Sequence, residues 1–368
     1  MQMGNYNMTV EEIIAAASAK TGLTDIGDRS VLDGLERLLK AYATEPRFTE
    51  RGSQMAHAFL VDQMATRMRI EDWLAQHPEL VEAPVEKPVF VFGLPRTGTT
   101  LMINLLAADP ATRSFVRWEG YEPMPPAKPE EIHAGRRFDE ATAKGLMAKQ
   151  HMPHIAAIHW EDADSPSGDQ YAMAQSFCSQ IYDSQVHIPS YREWFFGADY
   201  VPAFRFQKQI LQLLQQNVGG KWTLKNPWHP LFLDALTTVY PDAELVMTHR
   251  DPVEVVGSAC SLLKAVRPIY TEAMKPGEIA ECLLQTFDHM IARQNAYRDR
   301  HGEDAIFDIQ YAAQIKDPLG TMRALYDRFG TPFTAEAQAG MQAVMDYNPQ
   351  NKHGKHSYTL EEFGLSAK

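Results

Sequence analysis

The sequence predicts an α/β fold, a parallel sheet flanked by helices with a helical extension at its N-terminal end. Three observations carry this. Short apolar runs at residues 89–93 and in KWTLKNP, ELVMTHR and AIFDIQY read as strands, and helix-patterned segments lie among them. That alternation is the order of a parallel sheet covered on both faces. Residues 9–77, in contrast, carry only helical periodicity. Finally, VFVFGLPRTGTTLM runs from a strand into a helix through a glycine-rich turn.

Element by element, TVEEIIAAASAKTG has Thr9 at an N-cap position, carboxylates in the first turn and Gly22 as a stop. SVLDGLERLLKAYA and AHAFLVDQMATRMRIEDWLAQH continue the helical pattern, and EAPVEKPV reads as a linker. The division expected is therefore an extension over 1–86 and a main domain over 87–368. TLMINLLAADP is a helix ending near Pro110, and EPMPPAKPEE is a proline-rich loop. Residues 137–218 are mainly helical, most clearly in AFRFQKQILQLLQQN. Between the later strands, WHPLFLDALTTVYP, PVEVVGSACSLLKAV and LGTMRALYDRFG supply the crossovers.

Composition narrows the partners. The 368 residues are 45% hydrophobic and 22% charged, those of an ordinary globular protein. Lys+Arg 35 against Asp+Glu 47 gives a net charge of -12, which disfavours nucleic acid and long polyanions. The anion expected is small and held in a pocket. Cys178, Cys260 and Cys282 match no zinc or redox spacing, so a reducing, cytoplasmic location is expected. No signal-peptide pattern and no membrane-spanning run is present. A homo-oligomer is compatible with this composition.

The chemistry begins with GLPRTGTT. A glycine-rich turn at a helix N-terminus presents backbone N–H groups to an anion, and the helix dipole adds to the attraction. Gly93 and Gly98 permit the tight geometry, while Thr97, Thr99 and Thr100 bring hydroxyls. The nucleotide-hydrolase form of such a loop has lysine where Thr99 stands, and here Arg96 supplies the charge from inside the loop. The plain alternative is a strand–turn–helix connection. Further on, LVMTHRDPVEVVGSACSLL delivers Arg250 from a strand end and places Ser258 eight residues later on a helix. Arginine and a hydroxyl together suit a phosphate.

The pair of motifs resembles the 5'-phosphosulfate loop and the 3'-phosphate site of sulfotransferases that use 3'-phosphoadenylyl sulfate (PAPS). The resemblance is firm over about 88–368 and implies a P-loop-type core with PAPS as cofactor. It is weaker over the N-terminal helices. WTLKNPWHP is similar to the family's strand-end lysine segment, which implies that Lys225 lies against the bridging oxygen. FDIQYAAQIKDPLG implies Tyr311 near the adenosine, and KHGKHSYTLEEFGL implies a basic loop, with Lys355 and His356, closing over the nucleotide. Arg96 departs from the lysine of cytosolic and heparan-type members but matches the tyrosylprotein type and many bacterial proteins.

Sulfuryl transfer needs in-line positioning, charge at the leaving oxygen and a base, and no metal. Glu119 lies 23 residues after Arg96, a spacing similar to the catalytic glutamate of tyrosylprotein and heparan-type enzymes, with Trp118 and Tyr121 beside it. The competing base is His229, four residues after Lys225. His151, His154 and His159, with Glu161 and Asp162, match no standard metal spacing. The expected enzyme transfers a sulfuryl group to a small, fairly apolar alcohol, phenol or amine. The alternatives are a P-loop kinase or hydrolase, which would need a lysine at 99, and a non-catalytic nucleotide-binding protein.

Overall fold

The computed structural model describes residues 6–152, 161–347 and 358–366. Its centre is a five-stranded, all-parallel sheet in the order β2-β3-β1-β4-β5. The strands are β1 (Val89–Phe92), β2 (Thr112–Ser114), β3 (Lys221–Lys225), β4 (Glu244–His249) and β5 (Phe307–Gln310).

The two faces follow from the alternation of side chains along a strand. All four residues of β1 are buried. Val89 and Val91 point into one apolar cluster with Met102, Leu106, Val246, Ile309 and Met322. Phe90 and Phe92 point the other way, into a larger cluster that also holds Leu35 and Leu60 of the N-terminal helices. Four of the strands are those the apolar runs predict. The fifth, β2, is an edge strand of three residues, too short to show a period in the sequence.

Helices α1 (Val10–Thr21), α2 (Val31–Thr44) and α3 (Glu50–Gln76) form the N-terminal layer. Thr9 and Glu12 form a reciprocal capping box at the start of α1, and Gly22 ends it in a left-handed conformation, φ 75°. The layer is tied to the connection between helices Pro252–Val266 and Pro276–His301. The Thr49 amide donates to the Tyr270 carbonyl at 3.0 Å, and Phe48 pairs with Thr271 in an isolated bridge.

Connectivity sets the position of the site. From β1 the chain passes through α4 (Thr99–Ala107) to β2, on one side of β1. From β3 it crosses to β4 on the other side. The carboxyl ends of β1, β3, β4 and β5 therefore share one edge, where ligands gather in open α/β sheets. The three cysteines are free and buried, and burial pushes Cys260 up to about 12 and Cys282 up to about 11, so these thiols stay protonated. Among the described residues no helix is long and apolar enough to cross a membrane.

The contact between layers gives a direct test. A Cβ on Gly52, in the first turn of α3, would lie 1.7 Å from the Tyr270 carbonyl oxygen. Gly52→Ala should therefore cost about 1–3 kcal/mol through overpacking, read as a lower midpoint in chemical denaturation. An unchanged midpoint would show that the two layers slide apart freely here.

Candidate active site

The loop after β1 is built from conformations that most residues avoid. Gly93 has φ 148° and Gly98 φ 102°, and a Cβ on Gly98 would meet the Tyr311 ring at 2.7 Å. Arg96, not a glycine, also has positive φ, 77°. Such strain is usually found where a structure needs a particular side-chain direction. The Thr97 hydroxyl donates to the Leu94 carbonyl at 2.7 Å and lies 2.7 Å from the Thr248 hydroxyl, so it fastens the loop to β4. Thr99 is buried, whereas Thr100 stands half-buried at the mouth of a cavity.

The loop and the arginine after β4 meet. Arg96 Nε donates to Ser258 Oγ at 3.0 Å, and Arg250 Nη1 donates to the Arg96 carbonyl at 3.3 Å. Burial and the neighbouring Arg250 both push the Arg96 guanidinium below its ordinary pKa. Two cations at this separation are a place for an anion. Arg250 lies over the Tyr311 ring, 4.5 Å from its centroid, and pairs with Glu254 at 2.6 Å. Asp251 does not pair with it: that carboxylate caps the following helix through Val253 N–H. Tyr358 donates to the Glu254 carbonyl at 2.9 Å, so residues after 357 return to this helix. No sequence pattern marks Tyr358 for this contact. Lys355 and His356 lie outside the described residues.

On the other side of β1, Lys225 ends β3 and is buried with Glu161, Nζ to Oε1 3.4 Å. Ser167 Oγ donates to Glu161 Oε2 at 2.9 Å. In the sequence Glu161 stands out only as a neighbour of the histidine group, with no sign of its partner Lys225. Glu161 and Thr100 line one cavity of about 610 Å³, whose wall includes Asn104, Ile132, Val218 and Val344.

The two residues expected as base are placed differently. Glu119 has no exposed surface; its Oε1 lies 2.5 Å from Arg113 Nη2, and its Oε2 accepts the Val116 N–H at 3.3 Å. His229 is 1% exposed, bonds Asp169 Oδ2 at 3.0 Å and packs among Phe90, Phe92 and Phe204. Of the histidine group, His151 is exposed at a helix end, and His154 and His159 lie outside the described residues. Asp183, His187 and Cys282 come within 4.8 Å of one another. Arg192 pairs with Asp183 at 3.3 Å and Arg267 lies beside it, two cations that compete with any metal ion there.

Comparison with known proteins identifies the family. Residues 88–335 match the model of the sulfotransferase family. The crystal structure of sulfotransferase STF9 from Mycobacterium avium superposes with TM-score 0.90 at 31% identity, over 97% of this chain and 93% of that one. That of sulfotransferase STF1 from Mycobacterium tuberculosis H37Rv gives TM-score 0.88 at 31% identity, over 99% and 97%. Among curated proteins, the omega-hydroxy-beta-dihydromenaquinone-9 sulfotransferases Stf3 of Mycobacterium bovis and Mycobacterium tuberculosis are each 23% identical over 255 residues, 67% of this chain. The chain spans 63% of the length of these relatives. With the strand-end loop, the paired arginines and the matched fold in agreement, the chain belongs to the sulfotransferase family.

Proposed function

We propose that this chain moves a sulfuryl group from PAPS to a hydroxyl, or an amine, of a small and fairly apolar acceptor. The observation that carries the reading is the meeting of Arg96, Ser258 and Arg250 at one end of the sheet. PAPS would supply a phosphosulfate, the activated sulfuryl donor, and a separate 3'-phosphate. The residues fit it. Loop amides and Arg96 would hold the phosphosulfate. Arg250 and Ser258 would hold the 3'-phosphate, with Arg250 exchanging Glu254 for a stronger anionic partner. Tyr311 offers an aromatic face on the same side.

Lys225 sits at the carboxyl end of β3, directly beside β1, and would carry positive charge to the leaving oxygen. The cavity that Thr100 lines gives the acceptor a place next to the transferring group, and the apolar part of its mixed lining, Ile132, Val218 and Val344, suits an apolar body. The curated relatives are named for a hydroxylated acceptor, which supports a hydroxyl as the acceptor class here. A kinase or hydrolase reading lacks its loop lysine, since Thr99 occupies that position.

Two expectations test the donor. At a hundred times its Kd a ligand stabilises by about 2.7 kcal/mol, so 3',5'-adenosine bisphosphate should raise the Tm without magnesium, well above AMP or ATP. Equal shifts for ATP and the bisphosphate would sink the PAPS reading. Separately, Arg250→Ala should weaken bisphosphate binding by about 2 kcal/mol or more, roughly thirtyfold, because a phosphate loses a charge-assisted partner. Calorimetry giving the wild-type Kd would reassign Arg250 as structural.

A further inference from the structure

A base must take the acceptor's proton, and the residues at the acceptor cavity identify one that the family resemblance does not. We propose that Glu161 is the catalytic base, held by Lys225 until the donor binds. The inference rests on the PAPS reading above and deepens it.

Three structural features lead to this assignment. First, access. Glu119 is closed off on all sides and both its oxygens are engaged, by Arg113 and by Val116 N–H. Glu161 forms part of the wall of the cavity that Thr100 of the phosphate loop also lines. Second, placement. The segment carrying Glu161 is fastened to the strand-end region by backbone bonds: Trp118 N–H to the Ala163 carbonyl at 3.0 Å, Arg117 N–H to Ser165 at 3.0 Å, and Ser167 N–H to Phe115 at 2.8 Å. The Arg117 guanidinium also donates to the Glu161 carbonyl. A catalytic group held by such a frame starts in position. Third, the pair itself. A buried lysine–carboxylate pair is poor evidence for stability, since desolvation offsets the attraction. Lys225 Nζ lies 3.4 Å from Oε1, at the long limit of a hydrogen bond, and Ser167 Oγ donates to Oε2 at 2.9 Å.

Donor binding would draw Lys225 Nζ toward the bridging oxygen and uncover Glu161 Oε1. In the transfer, the acceptor oxygen forms its bond to sulfur while Glu161 Oε1 takes that oxygen's proton. The bond from sulfur to the bridging phosphate oxygen breaks, its electron pair stays on that oxygen, and Lys225 Nζ donates to it. The protonated Glu161 then releases its proton to water. Among the described residues, Lys225, Arg117 and Tyr171 act on this carboxylate, and Arg113, His133, Asp162, Asp164 and Tyr347 line the same cavity.

The test compares Glu161→Gln, Glu161→Asp and Glu119→Gln with wild type in the full-length protein, using 1-octanol and 4-nitrophenol as acceptors. Glu161→Gln should lose about 10²–10⁴-fold in kcat with octanol, the range of general-base catalysis, and far less with the acidic phenol, which needs little proton removal. The acidic limb of its pH–rate profile should vanish, and Glu161→Asp should recover part of the rate. Its Kd for 3',5'-adenosine bisphosphate should stay within about threefold of wild type or tighten, because Lys225 no longer has a carboxylate to leave. Equal losses with both acceptors, a tenfold weaker bisphosphate, or the octanol-selective loss appearing in Glu119→Gln instead would overturn the assignment. If wild type fails to bind the bisphosphate at all, the donor reading falls with it; if wild type binds and turns over while Glu161→Gln matches it, only Glu161 falls.

Discussion

The organisation of the site depends on a repulsion. Arg96 and Arg250 are brought together at the carboxyl end of a parallel sheet, where burial and the neighbouring Arg250 push the Arg96 guanidinium below its ordinary pKa. The fold holds them there by several separate means. The left-handed backbone at Arg96 aims its side chain at Ser258, the Arg96 carbonyl accepts from Arg250, and Glu254 and Tyr311 occupy the rest of the Arg250 guanidinium. Gly98 must lack a side chain because Tyr311 lies against it. The positions of β1, β4, β5 and the helix after β4 are thus all bound up with one electrostatic problem, and a bound anion would relieve it.

The sheet divides the work to either side of β1. The β4–β5 side carries the arginines and the aromatic face. The β3–β2 side carries Lys225, Glu161 and the cavity. Between and beneath them are buried polar pairs: Arg113 with Glu119, and His229 with Asp169, to which Gln207 and Tyr240 add a chain of hydrogen bonds. Each fixes the end of a strand or the turn after it. Arg113 belongs to β2 and Glu119 to the short helix Arg117–Tyr121, so their pair sets the direction in which the chain leaves the sheet edge.

Much of this was legible from residue order. Strands with buried β-branched and aromatic runs announced themselves, as did the glycine turn and the arginine–serine spacing, because each is local. What escaped was whatever is too short to show a period or depends on how the chain folds back on itself. β2 has three residues and no period. The enclosure of His229 comes from Phe204, in a helix before β3, and from β1. Glu119 looks like any loop-edge carboxylate until Arg113 is folded over it. Glu161 sits in an aperiodic stretch, and its neighbour Lys225 is 64 positions away. Charge partners across such separations leave no local pattern.

That separation has a kinetic side. Arg96 bonds Ser258 across 162 positions, Arg250 reaches the Arg96 carbonyl across 154, and Tyr358 closes on Glu254 across 104. Contacts this remote form only after the loops between them have been closed, which is the slow, entropically costly part of folding a parallel sheet. The glycine loop is therefore in place on the chain long before it has an anion site to belong to. Partly folded forms of this protein would carry the motif without the chemistry, and the paired arginines would be among the last features to assemble as the chain folds.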